Sequence, residues 1–211
     1  MNLLYESLES FKALKIDLYE GLPIIIPTDT NYNLACLPHH RTAVDNIFSF
    51  KNRKKDKPLS LFFANPEDWT KYGEAFDGEL VERIISNFWP GPLNIVLKNK
   101  TLEWDYMLNG ADTIALGCVS NKTFQNFVKW LDEPIAITSA NISGTADDML
   151  VTEEVAQEHM KGKVRNMLLS SEEIIGSKSS TIIKVDEEIR LLREGDISLR
   201  RILEVVENVR I

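Results

Sequence analysis

Short strings of hydroxyl, amide and basic side chains stand beside apolar runs at four widely separated places in this sequence. They are Pro27-Thr28-Asp29-Thr30, Lys51-Asn52-Arg53, Thr138-Ser139-Ala140-Asn141 with Ser143-Gly144, and Ser180-Thr181 followed by Leu192-Arg193-Glu194-Gly195. Each string alone also fits a turn or a helix cap. The sequence has no Walker A loop, Rossmann fingerprint or catalytic triad. Any nucleotide would therefore be bound by these scattered hydroxyls and cations.

A cluster of cations surrounds the second string. Five of the seven residues 51–57 are basic, namely Lys51, Arg53, Lys54, Lys55 and Lys57. One interpretation is a solvated helix end whose cations complement the helix dipole. The other is a pocket for one polyanion, such as a nucleotide triphosphate. Charge alone leaves both interpretations open.

The spacing within this cluster sets a condition on the second interpretation. Lys51 and Arg53 are two residues apart, so they do not share a helical face and converge on an anion only if the helix unwinds there. The sequence Lys57-Pro58 favours unwinding, because a residue before proline is pushed out of the α region. Arg53 would then offer a planar fork for phosphate oxygens, and Lys51 and Lys57 would act as point charges.

The apolar run at 113–119 is predicted to be a strand with two different faces. Ile114, Leu116 and Cys118 form an apolar face, whereas Thr113, Ala115 and Gly117 form a face of small residues. The small face leaves room for a ligand or another backbone to approach closely.

Size and composition limit the class of protein. The 211 residues fit one large domain, 1–211, and 44% hydrophobic residues suffice for a substantial core. A net charge of −8 argues against binding long nucleic acid through its phosphates, although a local basic patch is compatible with it. We find no bilayer-length apolar stretch and no signal peptide. Cys36 and Cys118 lie in apolar runs and are predicted to be buried thiols, which fits a cytoplasmic protein. Spacing predicts no side-chain metal site.

Hydrophobic periodicity predicts an α/β protein with a mixed, twisted sheet flanked by helices, because helices and strands do not alternate strictly. Helices are expected at 4–19, 42–50, 81–88, 123–131 and 153–160, with a closing helix capped by Ser198. Strands are expected at 22–26, 32–36, 59–63, 93–97, 113–119, 134–138, 164–169, 180–185 and 189–192. The stretch 99–111 is predicted to be irregular, and 144–150 a loop.

In their order and separations, these strings resemble the motifs of the YrdC-like family. That family shows Pro-Thr-(Asp/Glu)-Thr-x-Tyr-Gly-Leu, Lys-x-Arg, Trp-Pro-Gly-Pro-(Leu/Ala)-Thr, Ser-Ala-Asn-x-Ser-Gly, Ser-Thr and Leu-Arg-Glu-Gly, and the match runs from about 22 to 197. The resemblance implies a mixed, twisted sheet with a concave basic cleft. It also implies an L-threonylcarbamoyladenylate synthase, which converts L-threonine, bicarbonate and ATP, normally with Mg²⁺, into threonylcarbamoyl-AMP and pyrophosphate for tRNA modification.

The resemblance also implies roles for individual residues. Those expected to contact the nucleotide are Arg53 and Lys57 at the triphosphate with Lys51 alongside, and Thr113, Asn141 and Arg193. Thr30 and Ser139 are expected to contact the threonine.

This sequence departs from the family pattern on the threonine side. Gly117 stands where synthases have an arginine that binds the amino-acid carboxylate, and Val119 replaces a proline. Asn33, Phe62 and Asn94 replace a glycine, a frequently polar residue and a threonine. Lys122 and Arg165 are candidates to replace the missing cation.

Two alternatives to a synthase stay open. One is a non-catalytic YciO-like paralogue that binds a nucleotide or RNA, such as double-stranded RNA or one tRNA arm. The other is a module that binds a nucleotide alone or a different acid in a pocket enlarged at Gly117.

Overall fold

The computed structural model describes residues 1–54, 56–101, 104–144 and 150–207. The helices are α1 (Leu8–Tyr19), α2 (Arg41–Lys51), α3 (Trp69–Tyr72), α4 (Gly78–Phe88), α5 (Asp105–Leu108), α6 (Lys122–Leu131), α7 (Glu153–His159) and α8 (Leu199–Glu207). The strands are β1 (Asn2–Leu4), β2 (Ile24–Pro27), β3 (Tyr32–Cys36), β4 (Ser60–Phe62), β5 (Gly73–Glu74), β6 (Leu93–Asn99), β7 (Thr113–Gly117), β8 (Ile135–Ser139), β9 (Asn166–Leu168), β10 (Thr181–Val185) and β11 (Ile189–Arg193). Most of the predicted loop 144–150 lies outside the described residues.

The strands form one mixed sheet, as predicted. Their order is β1-β9-β2-β3-β8-β4-β7-β6-β10-β11, and β5 pairs with β6. β9 runs parallel to both β1 and β2. β4 runs parallel to β7, and β6 runs parallel to β10. The other neighbouring pairs are antiparallel.

Each face of the sheet has its own hydrophobic core. Ile24 and Ile26 of β2 lie in a cluster with residues of α1 and α6, whereas Ile25 lies in a cluster with residues of α2 and α4. This alternation is the period of two that a strand imposes on its side chains. α1 and α6 contact each other and cover β2 on their side of the sheet. The strands beyond α6 leave that face open, and the polar strings lie there.

The N-terminal helix begins later than predicted. Leu4 fits helical spacing in the sequence, but it pairs with Leu168 in the ladder between β1 and β9. Ser7 then caps α1 by accepting a hydrogen bond from the Ser10 backbone N–H at 3.1 Å. Four apparent turns of helix therefore divide into an edge strand and a shorter helix.

Several predicted ends of helices are confirmed. Gly21 follows α1 with a φ of 75°, a left-handed conformation that glycine adopts without strain. Thr152 and Ser198 accept hydrogen bonds from the backbone N–H groups of Val155 and Arg201 at the starts of α7 and α8. Among the described residues, no helix has the length and apolar character needed to cross a membrane.

Candidate functional site

A row of five residues crosses the open face of the sheet. Phe62 of β4 pairs with Gly117 of β7, Gly117 with Asn94 of β6, Asn94 with Ile182 of β10, and Ile182 with Arg193 of β11. Neighbouring strands are about 4.8 Å apart, so the row extends over roughly 19 Å. Four of its members, Phe62, Asn94, Ile182 and Arg193, line one cleft.

This cleft has a volume of about 430 Å³ and brings residues of all four strings together. Its hydroxyls are Thr28, Thr30, Ser60, Thr138, Ser139, Ser143, Ser179 and Ser180, its amides are Asn31, Asn33 and Asn94, its cations are Arg53, Lys57 and Arg193, and its apolar residues are Phe62, Ile137, Ile182 and Leu192. Among the described residues that line it, none is an aspartate or a glutamate. The side chains therefore make the cleft suited to an anion.

The first string forms a hydrogen-bonded turn between β2 and β3. The Thr28 hydroxyl donates to the Asn31 carbonyl at 2.8 Å, and the Asn31 side-chain oxygen accepts from the Val151 backbone N–H at 2.7 Å. The hydroxyls of Thr30 and Ser180 are 3.2 Å apart and join this turn to the fourth string. The string is thus both a turn and part of the cleft lining.

Asp29 faces away from the cations of the cleft. Its carboxylate accepts hydrogen bonds from the Ser120 backbone N–H and hydroxyl, both at 2.8 Å, and from the Asn121 backbone N–H at 2.7 Å. Burial raises the pKa of the Asp29 carboxyl, and the hydrogen bonds from Ser120 and Asn121 lower it in part. Asp29 therefore holds the start of α6 and does not line the cleft.

The helix before the basic cluster ends at Lys51, as a polyanion pocket formed by this cluster would require. α2 stops at Lys51, and Asn52 adopts a left-handed conformation with a φ of 50°. The Arg53 Nε donates to the Lys57 carbonyl at 2.8 Å and its Nη2 to the Pro58 carbonyl at 3.0 Å. These bonds hold the segment from Arg53 to Pro58 in a compact turn. Arg53 and Lys57 both line the cleft.

Lys51 lies behind the described lining of the cleft. Only 1% of its surface is exposed, and it does not line the cleft. Its Nζ donates to the Ser139 carbonyl, to the Asn141 carbonyl at 2.6 Å and to the Asn141 Oδ1 at 3.1 Å. The placement gives Lys51 a positioning role, because it ties the end of α2 to the segment after β8.

Asn141 also lies behind the cleft surface. It is 2% exposed, and its Oδ1 accepts a hydrogen bond from the Ser139 hydroxyl at 2.6 Å. Ser139 itself lines the cleft. Asn141 and Lys51 therefore form a second layer that orients Ser139, and the expected direct contact of either with a nucleotide has no geometric support.

The fourth string is assembled by a close approach of two backbones. A Cβ at Gly195 would collide with the Ser179 carbonyl and the Thr181 backbone nitrogen, so only glycine fits there. The Gly195 N–H donates to the Thr181 hydroxyl at 2.9 Å. The Arg193 Nε donates to the Ser180 carbonyl at 2.9 Å, which holds this guanidinium beside the hydroxyls of the cleft.

Thr113 is the predicted site residue that the structure separates from the others. It pairs with Lys98 and lines a different depression together with Lys98 and Lys184. It lies four residues along β7 from Gly117, a distance of about 13 Å. A ligand confined to the cleft would not contact it.

The room predicted beside Gly117 is filled by a side chain. A Cβ at Gly117 would lie 2.5 Å from Cε1 and 2.8 Å from Cζ of Phe62. The Phe62 ring also makes an edge-to-face contact with Phe124 of α6, with centroids 6.1 Å apart. The expected pocket enlargement at Gly117 is therefore wrong, since the ring occupies that space.

Neither candidate replacement for the missing cation lies in the cleft lining. The Arg165 Nη1 donates to Asp17 at 2.8 Å and to Glu20 at 3.1 Å, which places it against α1. Lys122 begins α6, where its backbone N–H donates to Glu172.

The described part of the chain contains no readily ionised thiol and no group of side chains that could hold a metal ion by themselves. Cys36 and Cys118 are free and buried, as predicted. Burial raises the pKa of both thiols, that of Cys118 to about 12, so neither is a ready nucleophile at neutral pH. No three His, Cys, Asp or Glu side chains among the described residues are grouped to hold a metal ion.

Sequence analysis missed several lining residues. Ser60 and Ser179 line the cleft but were not singled out. Ser60 precedes Phe62 by two positions, so the strand period alone would have placed both on one face. Ser143 lies in a recognised string, and its hydroxyl is buried without a hydrogen-bond partner among the described residues.

The fold and the cleft together define the class of protein, a mixed α/β protein with a cationic, hydroxyl-lined cleft on one face of its sheet. Residues 17–195 match the model of the Sua5/YciO/YrdC family, whose description is "Telomere recombination". The chain belongs to this family.

Two relatives in sequence carry related names. The chain is 32% identical over 190 residues to a putative threonylcarbamoyl-AMP synthase of Methanocaldococcus jannaschii, covering 90% of this chain and 87% of that protein. It is 30% identical over 192 residues to the threonylcarbamoyl-AMP synthase of Pyrococcus abyssi, covering 91% of this chain and 56% of that protein. The chain thus spans little more than half the length of the Pyrococcus relative.

Solved structures share the fold. Sua5 of P. abyssi complexed with L-threonine superimposes with a TM-score of 0.83 at 27% identity, over 99% of this chain and 61% of that one. YciO of Escherichia coli has a TM-score of 0.82 at 20% identity, over 95% of this chain and 98% of that one. The likeness to YciO concerns the fold alone.

Proposed function

We propose that the cleft binds ATP through its phosphates and that the protein is a threonylcarbamoyl-AMP synthase-like nucleotidyltransferase. One observation carries this proposal. A chain with a net charge of −8 places three cations and no carboxylate among the described residues lining its cleft. The names of the relatives from M. jannaschii and P. abyssi, and the threonine complex of P. abyssi Sua5, supply the class of reaction.

The reaction has two chemical steps. The amine nitrogen of L-threonine bonds to the carbon of bicarbonate, and water leaves to give a carbamate. A carbamate oxygen then attacks the α-phosphorus of ATP, and the bond to the pyrophosphate oxygen breaks. Negative charge develops on the phosphate oxygens, and fixed cations in a partly dry cleft stabilise it most effectively.

Different residues of the cleft would bind the phosphates and the amino acid. Arg53, Lys57 and Arg193 would bind the phosphates, since guanidinium and ammonium groups pair well with phosphate oxygens. Thr30 and Ser139 would bind the amino acid through their hydroxyls. The described residues that line the cleft offer hydroxyls but no carboxylate, so among them a Mg²⁺ ion would be held chiefly by the phosphates that bring it.

Pyrophosphate release tests this proposal. We expect release that requires ATP, bicarbonate and L-threonine, the last at millimolar concentration. Arg193→Gln should lower the rate about tenfold or more, because charge-assisted hydrogen bonds contribute on the order of 1.5–3 kcal/mol.

Arg190→Gln is the matched control for this assay. Arg190 lies on the same strand as Arg193, but it pairs with Asp186 and does not line the cleft. Its replacement should leave the rate unchanged. Equal losses in both variants, or release that does not depend on bicarbonate, would count against the proposal.

The contact between Gly117 and Phe62 favours a second candidate function. A ring where synthases have a carboxylate-binding arginine fits a non-catalytic, YciO-like protein that retains nucleotide or RNA binding. ATP binding without pyrophosphate release would support this candidate. Gel shifts with tRNA at two salt concentrations would detect RNA binding, because phosphate contacts weaken steeply as salt rises.

A further inference from the structure

Asn31 joins separate segments of the chain at the wall of the cleft. It lines the cleft and is 6% exposed. Its Oδ1 accepts from the Val151 backbone N–H at 2.7 Å. Its Nδ2 donates to the Ser179 hydroxyl at 3.1 Å and, more weakly, to the Thr30 hydroxyl at 3.4 Å. Through this one side chain, the turn after β2 is bonded to the residues that precede α7 and β10.

The orientation of this amide follows from its partners. The backbone N–H of Val151 can only donate, so the amide oxygen of Asn31 must face it. The amide nitrogen, which can only donate, then faces the hydroxyl oxygens of Ser179 and Thr30. Both hydroxyls accept from Asn31, and each keeps its own proton for another acceptor. The amide therefore sets the direction of hydrogen bonding of two side chains in the cleft lining.

Two of the hydroxyl protons beside Asn31 are left for a ligand. Thr30, Ser179 and Ser180 all line the cleft, and the oxygens of Thr30 and Ser180 are 3.2 Å apart. One proton of that pair lies between the two oxygens, whichever of them donates, and the other proton is left over. Neither this proton nor that of Ser179 has an acceptor among the described residues. The cleft wall thus offers two neighbouring hydroxyl donors to a ligand.

Two neighbouring donors suit a carboxylate. Its two oxygens accept hydrogen bonds, and bonds to an ionised acceptor are roughly twice as strong as neutral ones. Arg193 donates to the Ser180 carbonyl at 2.9 Å, so a guanidinium also lies beside these hydroxyls. The proposed function places the amino acid at Thr30, and Gly117 cannot supply the arginine that binds its carboxylate in synthases. The hydroxyl donors are therefore in a position to take over part of that contact.

We propose that Asn31 is a positioning residue that directs the hydroxyls of Thr30 and Ser179 as donors to the carboxylate of the amino-acid substrate. This inference rests on the proposed function of the cleft and deepens it, because it states which groups bind the carboxylate of L-threonine. Asn31 acts through the two hydroxyls that it orients.

L-Threonine and L-threoninol test the proposal, because a hydroxymethyl group replaces the carboxylate in threoninol. Both are titrated calorimetrically in the presence of Mg²⁺ and α,β-methylene-ATP, whose bridging carbon prevents cleavage at the α-phosphorus. The unmodified protein should bind L-threonine at least about tenfold more tightly, equivalent to about 1.4 kcal/mol. Asn31→Asp keeps an acceptor for the Val151 N–H, but its carboxylate accepts the hydroxyl protons and repels that of threonine. This variant should lose the preference for L-threonine.

A second variant and a control accompany this experiment. Ser179→Ala removes one donor and leaves the bond between Asn31 and Val151 intact. It should lower the preference for L-threonine at least about threefold, because charge-assisted hydrogen bonds are strong. Asn87→Asp makes the same chemical change at an exposed amide of α4 that donates to the Arg83 carbonyl. It should leave the preference unchanged.

The outcomes separate the two proposals. α,β-Methylene-ATP is also titrated alone, and an absence of nucleotide binding overturns the proposed function, whatever the two amines do. Equal or tighter binding of L-threoninol by the unmodified protein, or binding of neither amine, overturns the role of Asn31. An unchanged preference in either Asn31→Asp or Ser179→Ala overturns it as well, as does an equal loss in Asn87→Asp.

Discussion

Replacing Lys51 by methionine is expected to lower the free energy of unfolding by about 3 kcal/mol. The buried ammonium donates to two backbone carbonyls and one side-chain oxygen in the segment Ser139–Asn141. Each buried acceptor that loses its donor costs about 1–3 kcal/mol, which exceeds the gain from removing a buried ammonium whose donors are satisfied. Chemical denaturation of both proteins measures the difference.

Lys54→Met is the control for this experiment. Lys54 lies three residues away with an exposed side chain, so its replacement should change the free energy of unfolding by no more than about 0.5 kcal/mol. If Lys51→Met is as stable as Lys54→Met, then Lys51 does not hold the segment after β8. In that case its role as a positioning residue would be abandoned.

Gly117→Arg is expected to destabilise the protein by about 3 kcal/mol, because overpacking a filled core forces neighbouring side chains out of their rotamers. The new Cβ would lie 2.5 Å from the Phe62 ring, which cannot move freely because Phe124 packs against it. Restoring the missing arginine alone therefore does not provide a clean gain of function.

The double variant Gly117→Arg with Phe62→Ser tests whether the clash with the Phe62 ring causes this destabilisation. Removing the ring gives the arginine space, so the double variant should be at least about 1 kcal/mol more stable than the sum of the single effects predicts. Its guanidinium also supplies a partner for a carboxylate beside Asn94, and the double variant should bind L-threonine more tightly than the unmodified protein does. Additive destabilisation would show that the two residues do not exclude each other.

The sequence was a good guide to the sheet because strand periods are strong signals. Alternation at 32–36 and 113–117, and apolar runs bounded by proline or glycine, located most strands within one or two residues. The N-terminus failed because Leu4 satisfies the helical and the strand pattern equally. Only its partner Leu168, far away in the sequence, decides between them.

The motifs located the cleft better than they assigned individual roles. Arg53, Arg193, Thr30 and Ser139 line it, in agreement with the strings that contain them, and so does Lys57 of the basic cluster. The burial of Lys51 depends on which way the chain turns after α2, and the position of Thr113 depends on how far along β7 the cleft extends. Both are properties of three-dimensional packing that residue type and spacing do not encode.

Four residues that depart from the family motifs lie close together in the structure. Asn33, Phe62 and Asn94 line one cleft, and Gly117 pairs in register with both Phe62 and Asn94. In the sequence they are separated by tens of residues and read as independent changes. In the sheet they are neighbours, beside the cleft that Arg53, Lys57 and Arg193 also line.

Calorimetric titration of the protein with Mg²⁺ and ATP tests the central claim most directly. The cleft with Arg53, Lys57 and Arg193 predicts saturable binding at millimolar concentration or below, an affinity that falls as salt is raised, and competition by inorganic tripolyphosphate. An absence of binding heat at millimolar nucleotide, or an affinity that salt and tripolyphosphate leave unchanged, would contradict a phosphate-binding cleft.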